Sequence, residues 1–594
     1  MEIDVITKLS ALIEISRLKL AKILKSISGT KNITIEPKLI RPLERICGAK
    51  WLRLQDVEKI YKFEDATPAH SRNTHVYLIS SNLITFKRVL DQIQAVLATN
   101  NACKYHVIII PKALNSFEIL LEELGLYDIV TLHSYCWQMI QIDSGILSLE
   151  IPNLFTEIFV NRDLSLLPSL SYSLCTLFCV TGKPRVTVAI GKYPASVLNQ
   201  IDIFTDHLDL PPKSESDFDA FILMDRSVDY VSSLLTTATY AGLLSEIFRV
   251  NCGIVESNSS DEFSQQQKTE NSQNPKPSYL FSLDSLNDVV YADIKNRHIS
   301  EVSDILGNQA RQLKSEGQAS KDMALSEIKT YVQTKLQKVT AKSRSLSGHL
   351  QACEKIIEKL GSKFEKLQTT EQSFIENINK STNIRNIEDL ILTEGEYMSL
   401  RLICLMSLTQ RMSADEFHNF KVQYLQTYGY KYLYVFDNLI NCGLVQEPVL
   451  TKLSALTLSL PNIGTKKDFY SVTSKLKLVP QKPEQVNVRA PTCPSYVFGG
   501  SYIPMVAQLV TALVQAQNEN DFKSKLDVLG GSLTTEGIAK PFPLQKRSIL
   551  VCIIGGLTYA EVAACNLVEK LCTCQIVLCS NCMLSGNDLM AGCK

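Results

Sequence analysis

A chain of 594 residues with 61 basic and 61 acidic side chains, 45% hydrophobic and 21% charged residues, has the make-up of a folded globular protein. That balance excludes disorder, collagen-like repeats and small disulfide scaffolds, and at roughly 150 residues per domain the length calls for several hydrophobic cores. A formal net charge of zero leaves no positive excess for a phosphate backbone or an anionic bilayer, so nucleic acid is not an expected partner.

The amino terminus has two acids within Met1 to Asp4 and no basic n-region, so no secretory signal is expected. The 17 cysteines are scattered and mostly set in apolar runs, as around Cys175 and Cys179, which is the pattern of buried free thiols. Period-2 runs at Thr74 to Ser80 and Tyr105 to Pro111 read as strands. They alternate with helical patterns from Leu83 to Leu97 and up to Leu124. Such βαβα order predicts a parallel sheet covered by helices. The longest uncharged stretch, Leu164 to Gly182, contains Pro168, four serines and two threonines, so it reads as a buried or amphipathic helix rather than a membrane span.

A second α/β signal lies between Val186 and Phe248, with a short buried strand at Phe221 to Met224. A third lies near the end, where the strand Ser548 to Ile554 precedes Gly555, Gly556 and a helix that Thr558 and Glu561 start as a capping box. This late strand is expected to rejoin the sheet begun before Phe248. Between the two signals, residues 256–279 are Ser, Gln, Asn and Lys with little apolar content and read as a flexible loop. Beyond it the character is helical. Leu325, Ile328, Val332, Leu336 and Val339 form one apolar row, and Leu346, Leu350, Cys353, Ile357, Leu360, Phe364 and Leu367 form a second. With the polar Ala341 to Ser345 as a turn, these rows predict a long helical hairpin. Its seam is either consumed inside the protein or offered in part to a partner helix. Lys335, Lys338, Lys342 and Arg344 make the tip basic, which suits an acidic helix or is a solvated face.

Motifs for covalent chemistry are sparse. No histidine pair has metalloprotease spacing, and no G-x-S-x-G elbow or phosphate-binding G-x-x-x-x-G-K-[ST] loop occurs. Gly555-Gly556 before a helix either holds an anion at the helix dipole or is a tight strand-to-helix turn. Cys572, Cys574, Cys579 and Cys582 are enough thiolates for zinc, but Gln575 to Leu578 between them reads as a core strand whose alternation would point them apart. Asp225 and Asp229 follow the strand Phe221 to Met224, where α/β sheets bind ligands, and with Arg226 they form a candidate acid/base set. The structural alternative has Asp225 capping the turn and Arg226 paired with a buried acid.

The run FILMDRSVDYVSSLLTTATYAGLLSEIF, Phe221 to Phe248, closely resembles the Leu-Asp-Arg-x-x-Asp…Thr-Tyr-x-Gly-Leu signature of the SM family, the Sec/Munc-related regulators of SNARE-mediated membrane fusion. In matching order follow or precede it KYHVIIIPKALNSFEILLEELGLYD from Lys104, LRLICLMSLT from Leu400, YLQTYGY from Tyr424, YVFGGSYIP from Tyr496 and IIGGLTYAEVAAC from Ile553. The forms FRVNCG, HLQACEKI and YVFGGSYIP are most similar to the vacuolar-protein-sorting branch numbered thirty-three, and within it the B-type. Two departures stand out: Tyr240-Ala241-Gly242 replaces the usual Tyr-Glu-Gly, and Ser232-Ser233 replaces Thr-Pro.

The resemblance implies an α/β fold with a large helical insertion, the family's three-domain arch. Its parts would be residues 1–145, a discontinuous central domain of 146–252 plus 490–594, and a mainly helical 253–489 with a hairpin at 325–378 and a partner-binding part at 390–489. Asp225, Arg226, Asp229, Tyr240, Gly242, Gly555 and Gly556 are its motif positions. It also implies no bond-making catalysis and no cofactor or metal. The expected activity is the holding of SNARE helices in register for assembly, on hairpin residues Lys335, Lys338, Val339, Lys342 and Arg344. A second surface, Lys421, Tyr428, Tyr430 and Leu433, would bind a Vps-sixteen-like or VIPAR-like helical-solenoid subunit of a HOPS, CORVET or CHEVI type complex. Partner-mediated, peripheral association with endosomal, lysosomal or vacuolar membranes from the cytoplasm completes the expectation. The alternatives are a SNARE-independent scaffold and an α/β enzyme using the Asp225 and Gly555 region.

Overall fold

Strands β1 (Lys31–Ile35), β2 (Val57–Lys62), β3 (Thr74–Ser80), β4 (Tyr105–Ile110) and β5 (Val130–Ser134) form a parallel sheet in the order β2-β1-β3-β4-β5. The computed structural model describes residues 2–64, 74–98, 104–151, 153–207, 216–256, 279–319, 336–361, 363–446, 469–535 and 542–594. β3 is buried on both faces because helices Pro37–Ile46 and Leu83–Leu97 cover it, the condition under which a parallel strand reads as an unbroken apolar run. Asn82 starts the second of these helices by accepting from the Thr85 amide at 3.0 Å.

The second sheet has seven strands. They are β6 (Ile140–Asp143), β7 (Ile146–Ser148), β8 (Val186–Ile190), β9 (Ala220–Asp225), β13 (Ser532–Thr535), β14 (Ser548–Ile554) and β15 (Gln575–Ser580). The remaining three, β10 (Arg249–Asn251), β11 (Ile254–Glu256) and β12 (Tyr279–Ser282), make a small antiparallel sheet. The seven run in the order β13-β8-β9-β14-β15-β7-β6. As the apolar pattern predicted, β14 rejoins the sheet: it pairs in parallel with β9, Ile549 opposite Ala220 and Ile554 opposite Asp225. The uncharged stretch forms the helix Leu167–Thr181, with Pro168 in its first turn and most side chains buried. No helix among the described residues is long and apolar enough to cross a membrane.

Four expectations change. β6 and β7 pair antiparallel at the edge of the second sheet, so a division drawn at residue 145 cuts a hairpin. A division at 252 likewise separates β10 from its partner β11. Ala341 to Ser345 is not a turn, because Leu336–Leu360 is one continuous helix. The five residues contain neither Gly nor Pro to end it, and their polarity marks a solvated face. Leu325, Ile328, Val332 and Lys335 lie outside the described residues, as does the loop 257–278. Among the described elements helix Leu336–Leu360 packs against Ile299–Ala319, whose Val302 and Leu306 join the cluster that receives Leu346 and Cys353. Finally, the strict heptad fails after Cys353. Ile356 is buried and Ile357 exposed, since a straight 3.6-residue helix drifts off a 3.5-residue repeat, and Gly361 at φ +47° then separates this helix from Lys363–Ile375.

One feature of the first sheet titrates. Nδ1 of His106 on β4 and Nε2 of His133 on β5 lie 3.1 Å apart. Burial first, then His133, Lys104 and Lys31, lower His106 to about 4, and burial lowers His133. Both values fall below that of an unfolded histidine, near 6.5, so the unfolded state binds more protons in the interval between. Stability is therefore unaffected above pH about 6.5, declines as the pH falls toward 4, and levels off below. Thermal melts across this range should show that decline, and it should be reduced in His106→Gln.

Candidate functional site

The signature residues gather where β9 meets the late segment. Asp225 ends β9, and its Oδ2 accepts from the Lys192 and Tyr193 amides at 2.5 and 3.2 Å while Oδ1 accepts from the Ser227 amide at 3.0 Å. Gly191 is obligatory beside it. Its φ is +111°, and a Cβ there would stand 2.3 Å from the Asp225 carboxylate. Arg226 is wholly buried and donates to both oxygens of Glu561 at 2.7 and 2.9 Å, and to the carbonyls of Gly556 and Asp229 at 3.3 and 2.5 Å. Glu561 is thus the buried acid expected opposite Arg226. It simultaneously closes the capping box by accepting from the Thr558 amide and hydroxyl, each at 2.9 Å.

Asp229 receives the Ser232 amide and hydroxyl at 3.0 and 2.6 Å, the Met505 amide at 3.0 Å and the Tyr502 hydroxyl at 3.3 Å. Ser232 therefore supplies a bond that the usual threonine hydroxyl could also make. Both aspartates spend their oxygens on backbone and hydroxyl donors in the interior, so the acid/base arrangement does not form. The Gly555 amide donates to Asn581 Oδ1 at 2.7 Å and is committed to the turn, not left for an anion. A Cβ on Gly555, at φ +106°, would meet Phe159 at 2.7 Å and the Arg226 Cβ at 2.9 Å.

A second group of buried contacts fastens the helical insertion to this centre. Tyr240, first residue of helix Tyr240–Ile247, shares a 2.9 Å hydrogen bond with His349 Nδ1, and His349 Nε2 lies 3.2 Å from Asp288 Oδ2. Asp288 caps helix Val289–Ile294 by accepting from the Tyr291 amide at 3.1 Å and also receives the Ser345 hydroxyl at 2.6 Å. His349 and the His-linked seam residues Leu346, Cys353 and Ile356 thereby tie helix Leu336–Leu360 down. Gly242 leaves no room for a side chain, its Cβ position being 2.4 Å from Thr237. Ala241 is buried with its amide donating to the Lys295 carbonyl at 3.0 Å. The glutamate usual at that position would here carry a buried charge, which explains the alanine.

Arg401, from the LRLICLMSLT run, is buried and donates to Glu246 at 2.5 and 3.1 Å and to the Leu234 carbonyl at 2.9 and 3.1 Å. Its guanidinium lies against Gly586, where a Cβ would stand 2.5 Å from Nε. Nearby Glu371 accepts from the Thr236 amide and hydroxyl, and burial pushes it up to about 7. Reasoning on sequence did not assign the roles of Arg401, Glu246, His349 and Asp288. The one available signal is a charged residue or histidine set inside an apolar helical run, as in Arg401.

The expected contact surfaces divide. On helix Leu336–Leu360, Val339 and Lys342 are half-buried and Arg344 is exposed; Lys338 lies on the same helix. Tyr430 is 75% exposed, Leu433 40% and the adjacent Tyr434 73%, an apolar cluster at the junction of the turn Tyr430–Tyr432 and helix Leu433–Cys442. Lys421 is not the exposed contact expected: its stem is half-buried, Nζ lying 5.7 Å over the Phe436 ring and 3.8 Å from Asp437. Tyr428 is structural, donating to the carbonyls of Ile391 and Glu394 at 2.9 and 2.5 Å. Cys572, Cys574, Cys579 and Cys582 do not converge. Cys579 sits within β15 opposite Cys552, and no group of three metal-binding side chains occurs among the described residues.

The chain is similar to known proteins in sequence and in fold. The model of the Sec1 family matches residues 31–592. Vacuolar protein sorting-associated protein 33B of Danio rerio is 28% identical, the alignment covering 98% of this chain and 96% of that protein. Vacuolar protein sorting-associated protein 33A of Rattus norvegicus is 25% identical, with 95% and 93% covered. Among solved structures, the SM protein Vps45 in complex with the Qa SNARE Tlg2 superposes with a TM-score of 0.59 at 13% identity, covering 98% of this chain and 97% of that one.

Removing one partner of a fully buried pair strands the other's charge. Glu561→Ala should destabilise the protein by about 3–5 kcal/mol in denaturant unfolding. The double variant Arg226→Met, Glu561→Leu should lose less than Glu561→Ala, a comparison that separates a stranded charge from a lost contact.

Proposed function

The chain belongs to the Sec1 family, and from that premise we propose that it regulates vesicle docking and membrane fusion by holding SNARE helices for assembly. The supporting observation is full-length agreement in fold with an SM protein solved on its SNARE, together with a helix, Leu336–Leu360, that exposes Arg344 off its buried seam, with the half-buried Lys342 at the end of that seam. Two SNARE segments that are disordered alone lose chain entropy on zippering, and a surface that aligns them beforehand takes that loss out of the slow step. Bonds are neither made nor broken. The signature aspartates serve the interior, which weighs against the enzyme reading built on them.

The pathway we assign is endosome-to-lysosome or vacuolar transport, because relatives that align over nearly the whole chain carry vacuolar-sorting names. Within it the protein works as a subunit of a class C-type tethering or sorting complex, of HOPS, CORVET or CHEVI type, and reaches membranes through its partners. Tyr430, Leu433 and Tyr434 are the surface we assign to the Vps-sixteen-like or VIPAR-like solenoid subunit. Tyrosines at an interface bury much area at little rotamer cost and keep a polar tip. The reading in which SNAREs are dispensable and the chain is a scaffold rests on the same patch.

Tyr430→Asp should abolish co-purification of the solenoid partner while leaving the melting temperature within experimental scatter, since the ring is exposed; unchanged co-purification would reject the patch. Lys342→Glu with Arg344→Glu should weaken capture of an isolated SNARE motif by about tenfold or more in low salt. Retention of SNARE capture in that variant, beside a solenoid partner lost only in Tyr430→Asp, would favour the scaffold reading.

A further inference from the structure

Two carboxylates and one guanidinium are gathered in the interior where the helical insertion meets the signature segment. Arg401 on helix Glu396–Thr409 and Glu371 on helix Lys363–Ile375 are buried, and Glu246 on helix Tyr240–Ile247 is largely so. Arg401 spends its hydrogen bonds on both oxygens of Glu246 and on the Leu234 carbonyl, with one 3.5 Å contact to the Thr236 hydroxyl. Glu371 meets neutral donors: the Thr236 amide at 3.0 and 3.2 Å and the Thr236 hydroxyl at 2.7 Å. The bidentate pair of Arg401 with Glu246 is neutral as a unit. An ionised Glu371 therefore leaves one negative charge unmatched inside the protein, and an acid so placed sheds that cost by keeping its proton.

The other polar neighbours of the same helix are uncharged. Asn386 donates to the Thr370 hydroxyl at 3.1 Å, the Ser373 hydroxyl donates to Asn383 at 2.5 Å, and the Tyr470 hydroxyl donates to the Phe374 carbonyl at 3.3 Å. The charged groups that act on Glu371 are Arg401 and Glu246, of opposite sign. Burial is the largest influence and raises Glu371; Arg401 and the Thr236 hydrogen bonds oppose it, Glu246 adds to it, and the carboxyl is left at about 7. Both contacts with Thr236 survive protonation, because one carboxyl oxygen can donate to the Thr236 hydroxyl while the other accepts from the Thr236 amide. The proton removes a charge without removing a bond.

We propose that Glu371 is a proton-operated latch: protonated, it seats helix Lys363–Ile375 firmly on the segment that carries Thr236, and ionised it loosens that seat. Helix Lys363–Ile375 follows helix Leu336–Leu360 across Gly361 and packs against helices Lys380–Thr393 and Glu396–Thr409. The latch thus lies between the arm assigned to SNAREs and the helices that lead to Tyr430 and Leu433. Control of SNARE capture by the latch rests on the proposed SNARE role, whereas the proton uptake itself does not. An exposed glutamate titrates near 4.5 and the seated one at about 7, so the seated state binds more protons between these values. The seat is firmest below pH about 4.5, weakens as the pH rises to about 7 and levels off above. That slope is opposite in sign to the one His106 and His133 produce.

The test is amide hydrogen exchange of the full chain at pH 6 and pH 8, in the parent and in Glu371→Gln, with the two proteins compared at each pH so that intrinsic exchange and the histidine contribution cancel. Gln has the shape of the protonated acid, keeps both Thr236 contacts and carries no charge. Beyond the intrinsic change, opening of helix Lys363–Ile375 should be about tenfold more frequent at pH 8 than at pH 6 in the parent and should stay constant in Glu371→Gln. At pH 8 the variant should melt no lower than the parent. Infrared difference spectra between the two pH values should show a buried protonated carboxyl lost at pH 8 in the parent and missing from the variant. An equal pH response in both proteins overturns the proposal. So does faster exchange of this helix in Glu371→Gln than in the parent at pH 8, the behaviour of an ionised Glu371 held by Arg401. The infrared titration of the parent stands without the variant, and the absence of a carboxyl titrating between pH 6 and pH 8 likewise overturns the latch.

Discussion

The pair between Arg226 and Glu561 joins the two halves of a sheet that the helical insertion separates in sequence. β9 arrives from one side of the insertion and β14 from the other, and their backbone ladder alone would close a long loop at a large entropic cost. Arg226, immediately after β9, and Glu561, in the first turn of the helix after β14, add two charge-assisted bonds between fully buried side chains. The same carboxylate caps its own helix, so the position of that helix and the closure of the sheet are one event. Everything built on this junction, including the turn at Gly555 and Gly556 and the approach of Arg401 to Gly586, inherits its geometry.

The helical insertion is attached by polar contacts rather than by apolar packing alone. Tyr240, His349 and Asp288 form a buried chain linking helices from three parts of the molecule, and Arg401 with Glu246 forms another. Directional bonds of this kind set the angle and register at which helices leave the centre, whereas apolar surfaces tolerate sliding. The alignment of other proteins' helices that we propose would need such fixed angles. The surfaces left over, the far side of helix Leu336–Leu360 and the cluster Tyr430, Leu433 and Tyr434, are then presented in constant relation to one another.

Much of the fold was legible in the sequence because parallel strands buried on both faces leave unmistakable apolar runs. Thr74 to Ser80 and Ser548 to Ile554 were delimited to the residue. The capping box at Thr558 and Glu561 was legible for the same reason, its chemistry being contained in four consecutive residues. The readings that failed depended on relations between distant segments. A turn at Ala341 to Ser345 looked plausible from polarity, yet nothing there breaks a helix. Ile357 looked like seam by heptad arithmetic, yet helix drift carries Ile356 inward instead. Of the candidate site, the role of Asp225 as a cap, of Arg226 as one half of a buried pair and of Tyr430 as an exposed ring could be stated, but not that the Tyr428 hydroxyl is held inside the fold. Both tyrosines belong to one tyrosine-rich run, and only the neighbours Ile391 and Glu394 distinguish them.

By itself the sequence determined the α/β class, the insertion between two sheet-forming segments, most strand and helix positions and the family signature. These are local or periodic properties, and propensity, alternation and capping act over a few residues. The tertiary structure decided which acid meets Arg226, which of two adjacent isoleucines is core, which tyrosine hydroxyls are held inside the fold, and that the Tyr559 hydroxyl is buried without a hydrogen-bond partner. Each of these depends on atoms brought together from remote parts of the chain, and burial and pairing are properties of that assembly rather than of any segment within it.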